Sequence, residues 1–360
     1  MTSHTNTTTM PADSDTDSVL RMRVTPEEAA QIRALADELG VERNTAPEHR
    51  LTEFAVRAHD LPIRLRNLLT GFRLADDVPA AGVLLSGLPV DESALGPTPT
   101  VATAESDTAE SARASALLLL IASLLGDPFS FATQQRGKLM LDVFPVPGHE
   151  NTQLGSSSET ELEWHTEDAF HPYRADWIML LGLRNPYRAP TMFAPVQLLE
   201  LDENIRDLLF EERYMILPDE SHTAEFNEAT SGTDSGDYVT AAFARITDMS
   251  TRPKRIAVLS GDRRFPFIRI DPAFMPDELD DPEAERALRR IGVEIHRTMQ
   301  DIALGSGDLL VIDNKRAVHG RRPFTARFDG TDRWLRRINI SADLRASAGR
   351  RHGPHSRALV

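Results

Sequence analysis

Leu162-Glu163-Trp164-His165-Thr166-Glu167-Asp168-Ala169-Phe170 (LEWHTEDAF, residues 162–170) decides the reading of this chain. Read as a strand, it sends His165 and Glu167 to one side and Thr166 to the other. A second histidine, His319, follows another apolar run far downstream, in LLVIDNKRAVHGRRPF (309–324). Two imidazoles and one carboxylate so arranged are the ligand set of a non-haem Fe(II) centre. Such a set covers one face of the metal and leaves the opposite positions open to a cosubstrate and dioxygen. The pattern predicts oxidative chemistry, with His165, Glu167 and His319 as metal ligands and catalytic centre.

Each ligand taken singly is weak evidence, because the chain holds 11 histidines and a lone histidine is more often a hydrogen-bonded structural residue. Position strengthens the reading. The first pair opens a strand-rich region and His319 follows a strand near its end. His149, His171, His222 and His296 lack such partners and read as structural or surface residues. Zinc is the chemical rival for this donor set, but the helical HExxH signature of hydrolytic zinc is missing.

Composition narrows the field. At 360 residues, 41% hydrophobic and 26% charged, the chain fits a globular protein with a sizeable core. Zero cysteines exclude disulfides, cysteine nucleophiles, iron–sulfur clusters and thiolate zinc sites. The longest apolar stretch, ASALLLLIASLL (114–125), is too short to span a bilayer and reads as a buried helix. The first residues lack the basic and apolar segments of a secretory signal. A cytoplasmic location and no membrane partner are expected. A net charge of −15 argues against a nucleic-acid partner. Basic residues still gather late in the chain (Lys315, Arg316, Arg321, Arg322, Arg327, Arg333, Arg336, Arg337). Most read as partly solvated, with one or two clamping carboxylates beside His319.

Residues 1–20 contain almost nothing able to form a core and read as a disordered tail, leaving 21–360 as a single domain. Thr25-Pro26-Glu27-Glu28 is a helix start, and the pattern after it ends at Gly40. Further helices are predicted near 61–73, 111–125, 197–210 and 282–303, with a strand at GVLLSGLPV (82–90). From about 139 onward LMLDVFPV, ELEWHTEDAF, DWIMLLGLRN, TMFAPV, RYMILP, RIAVLS, FPFIRID, DLLVIDN and WLRRINIS read as short strands. Their order lacks the regular alternation of a doubly wound fold. It points to an α+β protein with a double-stranded β-helix, or jelly-roll, core flanked by helices. The polar stretch 223–252, in an insertion at about 219–252, reads as either a lid over a site or a surface loop.

An oxygenase that uses 2-oxoglutarate must also hold that cosubstrate's distal carboxylate, a task suited to a bidentate arginine. Arg333 and Arg337 follow His319 on one strand and face the same way. At this point the chain resembles the clavaminate-synthase-like branch of Fe(II)/2-oxoglutarate oxygenases. Within it, the likeness is to the free amino-acid hydroxylases of antibiotic pathways, the viomycin-pathway arginine 3-hydroxylase type. The shared text runs from about residue 24 and includes FATQQ, SSSxxELxWHTEDAFxPYRADW, LRNP, DNxRAVHGRRPF and RFDGTDRWLRRINI. The resemblance implies that His165, Glu167 and His319 hold iron. It implies that Arg333 and Thr191 receive the distal carboxylate of 2-oxoglutarate. Arg337 would pair with the substrate α-carboxylate, and Gln134 and Glu167 would hold the α-amino group.

It further implies that Asp219 and Ser221 close over the substrate. Asp271, in RIDPAFM, matches the first acid of an Asp-Gly-Asp stretch that grips a guanidinium, whereas Ala273 stands where the second acid would be. Asp271 alone can still bind a guanidinium in a fork, or it can be a plain turn residue before Pro272. The expected activity is hydroxylation of Cβ or Cγ of free L-arginine or a close analogue, with Fe(II), 2-oxoglutarate and O2. Citrulline or enduracididine hydroxylation and arginine desaturation are alternatives. A non-catalytic jelly roll binding a metal or anion is the alternative from a different class.

Overall fold

Thr25 opens the first helix as its sequence dictates. Its Oγ1 accepts from the Glu28 amide (3.2 Å), and the Glu28 carboxylate accepts from the Thr25 amide (2.9 Å), so two otherwise orphaned donors are satisfied reciprocally. The computed structural model describes residues 18–40, 47–75, 80–101, 108–230, 236–276, 279–351, 353 and 355–360. In chain order the strands are β1 (Val19–Arg23), β2 (Gly82–Ser86), β3 (Asp127–Phe131), β4 (Met140–Val143), β5 (Leu162–His165), β6 (Trp177–Arg184), β7 (Thr191–Pro195), β8 (Leu259–Gly261), β9 (Pro266–Ile268), β10 (Gln300–Ile302), β11 (Leu309–Asp313), β12 (Ala317–Arg321), β13 (Trp334–Ser341) and β14 (Ala358–Leu359). The helices are α1 (Pro26–Leu39), α2 (Leu51–Arg57), α3 (Ile63–Leu74), α4 (Ala109–Ala122), α5 (Glu203–Leu209), α6 (Ala224–Thr230), α7 (Asp237–Thr251) and α8 (Pro282–Thr298).

Two sheets carry the architecture. The larger is mixed, in the order β1-β2-β11-β6-β13-β3-β14 with β4 also on β13; the smaller is β10-β7-β12-β5, antiparallel throughout. Strands β6 and β11 are apolar at nearly every position because both their faces are covered. Ile178, Leu180, Leu310 and Ile312 point inward to meet Phe193 and Ala317 of the smaller sheet. Met179, Leu181, Leu309 and Val311 point outward, under α1, α3 and α4. The uniform apolarity of α4 has the same cause. Leu117, Leu118, Leu119 and Leu120 are all fully enclosed, each contributing about 2 kcal/mol of hydrophobic burial. On its far side the smaller sheet meets α5 and α8 through Trp164, Ala194 and Val318 against Leu208, Ile291 and Ile295. Among the described residues no helix is long and apolar enough to cross a membrane.

The structure departs from the sequence expectation in several places. Of the tail expected over 1–20, residues 1–17 lie outside the described residues, but Val19 and Leu20 belong to β1, which pairs in parallel with β2. RYMILP contributes one isolated bridge, Tyr214 to Ile256; Tyr214 is buried, and its hydroxyl donates to Leu208 O (3.1 Å). The predicted helix 282–303 stops at Thr298, and Gln300–Ile302 joins β7 as β10. The polar stretch 223–252 contains α6 and α7, with Val239, Ala242 and Ile246 buried at helical spacing; residues 231–235 between them lie outside the described residues. The late arginines are less solvated than expected. Arg316, Arg321, Arg333 and Arg336 are buried, and all but Arg333 donate to backbone carbonyls. Arg336, for example, takes both oxygens of Asp142 (2.8 and 3.0 Å) and the Ser111 carbonyl (2.7 Å).

Candidate active site

His165 ends β5 and lies directly opposite His319 in the β5–β12 ladder, with ring centroids 4.6 Å apart. Gly320 makes that approach possible. A Cβ there would lie 2.6 Å from the Leu162 carbonyl oxygen and 2.7 Å from Met192 Cε, so any side chain would push β12 away from its neighbours. The strand was expected to continue through Glu167, but it ends at His165. The reason is Thr166, whose amide donates to Ile270 O (2.9 Å) and whose hydroxyl accepts from the Ile270 amide (3.2 Å). Thr166 therefore faces away, as alternation demanded, and Glu167 turns in beside the two histidines. Asn314 fixes the Glu167 backbone, accepting from its amide (2.7 Å) and donating to its carbonyl (3.1 Å).

The three side chains offer donor atoms within 4.8 Å of one another. Glu167 Oε2 lies 3.3 Å from His319 Nε2 and 3.9 Å from His165 Nε2, buried and without a hydrogen-bond partner. His165 Nδ1 donates to the Glu163 carbonyl (2.7 Å), so a neutral ring presents the Nε2 lone pair to the same point. A buried carboxylate oxygen facing two imidazole nitrogens is costly unless a cation completes it. These residues fit a divalent metal.

Electrostatics agree. Burial opposes ionisation of Glu167, yet the Arg337 guanidinium, His319 and His165 hold its carboxyl well below the ordinary range. Burial pushes His319 down to about 4, which keeps it a neutral ligand. His165 goes the other way: against burial, Asp271 and Glu167 raise it. A field that favours a proton on this ring favours a metal cation at Nε2 equally.

Behind the triad, Arg333 is buried and, among the described residues, meets no carboxylate and donates only to Thr191 Oγ1 (3.2 Å). It sits just ahead of β13, at a register shift beside Trp334. Burial, reinforced by Arg321, pulls it down to about 9; it remains charged at neutral pH and calls for an anion. Arg337, on the same side of β13, pairs with Glu167 Oε1. Half of the unpartnered buried side-chain atoms among the described residues belong to groups lining this one cavity: Gln134, Glu167, His319, Arg321, Arg333 and Arg337. Unmet hydrogen-bonding capacity concentrated in this way marks a ligand site.

All the residues singled out from sequence meet in that cavity: Gln134, His165, Glu167, Thr191, Asp219, Ser221, Asp271, His319, Arg333 and Arg337. Gln134 Nε2 donates to Ser221 Oγ (2.8 Å) and Ser221 in turn to Asp219. Asp271 is buried and, among the described residues, its carboxylate meets no donor; burial chiefly raises it to about 7, and His165 opposes the rise while Asp219, Glu163 and Glu167 add to it. Sequence reasoning missed Glu163, Phe226, Asn227 and Asp168, which also line the cavity. Glu163 could have been found by the alternation that selected His165. Phe226 and Asn227 could not, since they arrive on α6. His222, expected to be a structural or surface residue, is fully buried and ties the Asp219–His222 segment down through Thr133 (2.7 Å) and Asp168 (2.9 Å). That anchors Asp168, held at a left-handed φ of 50°, directly after the candidate metal ligand.

Two packed sheets that converge two imidazoles and a carboxylate, with a buried arginine awaiting an anion, define a non-haem metal oxygenase site. The chain belongs to the taurine catabolism dioxygenase TauD, TfdA family, which it matches over residues 106–339. It is 41% identical over 353 residues to the enduracididine beta-hydroxylase of Streptomyces hygroscopicus, covering 95% of this chain and 100% of that one. It is 41% identical over 303 residues to the L-ornithine/L-arginine 3-hydroxylase of Catenulispora acidiphila, covering 84% and 88%. The non-heme iron oxygenase OrfP, in complex with Fe, succinate and (3R,4R)-dihydroxy-L-Arg, superposes with a TM-score of 0.86. It is 38% identical, over 94% of this chain and 99% of OrfP.

Proposed function

We propose that this chain is an Fe(II)/2-oxoglutarate-dependent hydroxylase of free L-arginine or a close guanidino analogue, acting on Cβ or Cγ in specialised-metabolite biosynthesis. Its two sheets form a double-stranded β-helix, and the segment from Asp219 through α7 serves as the lid. One observation carries the reading. A single cavity joins the His165–Glu167–His319 cluster to a buried, anion-seeking Arg333 on one side and a donor-free Asp271 on the other. The relatives act on cationic amino acids or hold hydroxylated arginine, which supports the same substrate class.

Iron, 2-oxoglutarate and O2, when bound, would supply the oxidant: one atom of O2 would enter succinate as the cosubstrate loses CO2, and the other would enter the substrate C–H bond. The protein's part is positioning and exclusion of water. Arg333 and Thr191 fix the distal carboxylate of 2-oxoglutarate. Arg337 binds the substrate α-carboxylate, a role open only to a free amino acid. Gln134 Oε1, buried and unpartnered, accepts from the α-ammonium together with Glu167. Asp271 takes the cationic end, and Asp219 with Ser221 covers the substrate.

Enduracididine, a cyclic guanidine, keeps that charge and remains compatible with the pocket. Citrulline is disfavoured, because its neutral ureido group leaves Asp271 uncompensated. Incubation with Fe(II) and 2-oxoglutarate across arginine, enduracididine, citrulline, lysine and asparagine, read by mass spectrometry, tests the proposal. A one-oxygen gain on a guanidino amino acid coupled to succinate is expected. Turnover of only neutral amino acids, or none, would overturn it; loss of two hydrogens would make the enzyme a desaturase.

A further inference from the structure

We infer that Glu163 is the second acid of the guanidinium site, supplying from β5 the carboxylate that Ala273 does not supply from the turn after β9. The inference rests on the proposed substrate class and assigns a specificity-determining residue within it. Glu163 is two residues before His165, on a stretch of β5 whose pairing with β12 shifts register, and both line the same cavity. Strand β5 packs against the Pro272–Phe274 turn, so Glu163, Asp271 and Ala273 face one cavity.

The carboxylate of Glu163 has no use in the protein alone. Its backbone is engaged, with the amide donating to Gln153 Oε1 (3.0 Å) and the carbonyl accepting from His165. Among the described residues its side chain makes no hydrogen bond and no ion pair. Yet it is half-buried and lines the same cavity as Asp271. Asp271 is in the same condition and feels Glu163 as a repulsive neighbour. Two partnerless carboxylates lining one pocket are unfavourable until a cation enters between them. A guanidinium, with five donors in a planar fork, can meet both. A ureido group cannot neutralise them.

The test is anaerobic calorimetry of L-arginine and L-citrulline binding to the Fe(II)- and 2-oxoglutarate-loaded protein, for the wild type, Glu163→Gln and Glu163→Asp. Wild-type preference for arginine tests the substrate class. Glu163→Gln should then weaken arginine binding about tenfold, the scale of a lost charge-assisted hydrogen bond. Citrulline and 2-oxoglutarate binding should stay within about twofold, with Glu163→Asp between the wild type and Gln. A wild type that prefers arginine while Glu163→Gln keeps that preference would sink this inference and leave the substrate class standing. Equal losses on arginine and citrulline would reduce Glu163 to a structural role and also sink it. A wild type without preference for arginine would overturn both.

Discussion

The two ends of the cavity are built from different material. At the metal and cosubstrate end, His165, His319, Thr191 and Arg337 stand on β5, β12, β7 and β13 and Arg333 immediately precedes β13. Ladder hydrogen bonds fix their positions, and Asn314 fixes Glu167. At the proposed side-chain end of the substrate, Asp219, Ser221 and Asp271 stand on turns, α6 leans in with Phe226 and Asn227, and Glu163 is carried by a strand. Strand-borne groups hold the chemistry common to the family to a narrow geometry. Turn-borne groups can change identity, as at Ala273, without disturbing the sheets.

If that division is right, damage at the strand end should remove the reaction and damage at the turn end should only redirect it. The largest effect is expected from His165→Ala or His319→Ala, which should abolish both Fe(II) binding and turnover while leaving the thermal transition cooperative. Metal analysis and succinate release check this, and full activity in either variant would break the assignment. Next, Arg333→Ala should raise the 2-oxoglutarate requirement by about 10- to 100-fold, the range of a charge-assisted hydrogen bond, with Fe(II) content unchanged. Steady-state kinetics against 2-oxoglutarate decide it.

At the turn end, Asp271→Asn should weaken arginine binding by about tenfold and leave 2-oxoglutarate binding intact. It also has a pH signature. Only the ionised carboxylate attracts a guanidinium, and the Asp271 carboxyl is pushed up to about 7. Arginine affinity should therefore rise as pH climbs through 7 and fall below it, and Asp271→Asn should flatten that profile. A pH-independent wild type would remove Asp271 from the cation site. The smallest effect is expected from Ala273→Asp. With Asp271 and Glu163 already in place, a third carboxylate should tighten arginine binding only a few-fold. A gain as large as the Asp271→Asn loss would show that the site lacked its second acid.

Legibility follows the same division. The triad could be read in advance because alternation and the ladder impose short-range rules on LEWHTEDAF and on the strand bearing His319. Even so, the strand ends one turn of the pleat early, since Thr166 bonds to Ile270 across 104 residues, a partner no local pattern announces. Arg336 and Arg337 are adjacent in sequence, but one locks onto Asp142 and Ser111 while the other reaches Glu167. Alternation separates their faces; only the packed structure says which face holds the site. The stretch 223–252 looked structureless because its apolar positions are few. Its helix α7 forms by burying Val239, Ala242 and Ile246, so tertiary contact prevails over weak propensity.

By itself, the sequence pointed to the candidate metal ligands, to the arginine proposed to meet an anion and to the strand-rich class of the fold, because each depends on residue type and on periods of two or three to four. Only the tertiary structure decided how the substrate end is assembled, bringing Asp219, Asp271 and Glu163 to one cavity from three separate parts of the chain. The physical reason is that a charge cluster is a property of distances in space, and those distances are set by the packing of the sheets and helices that carry it.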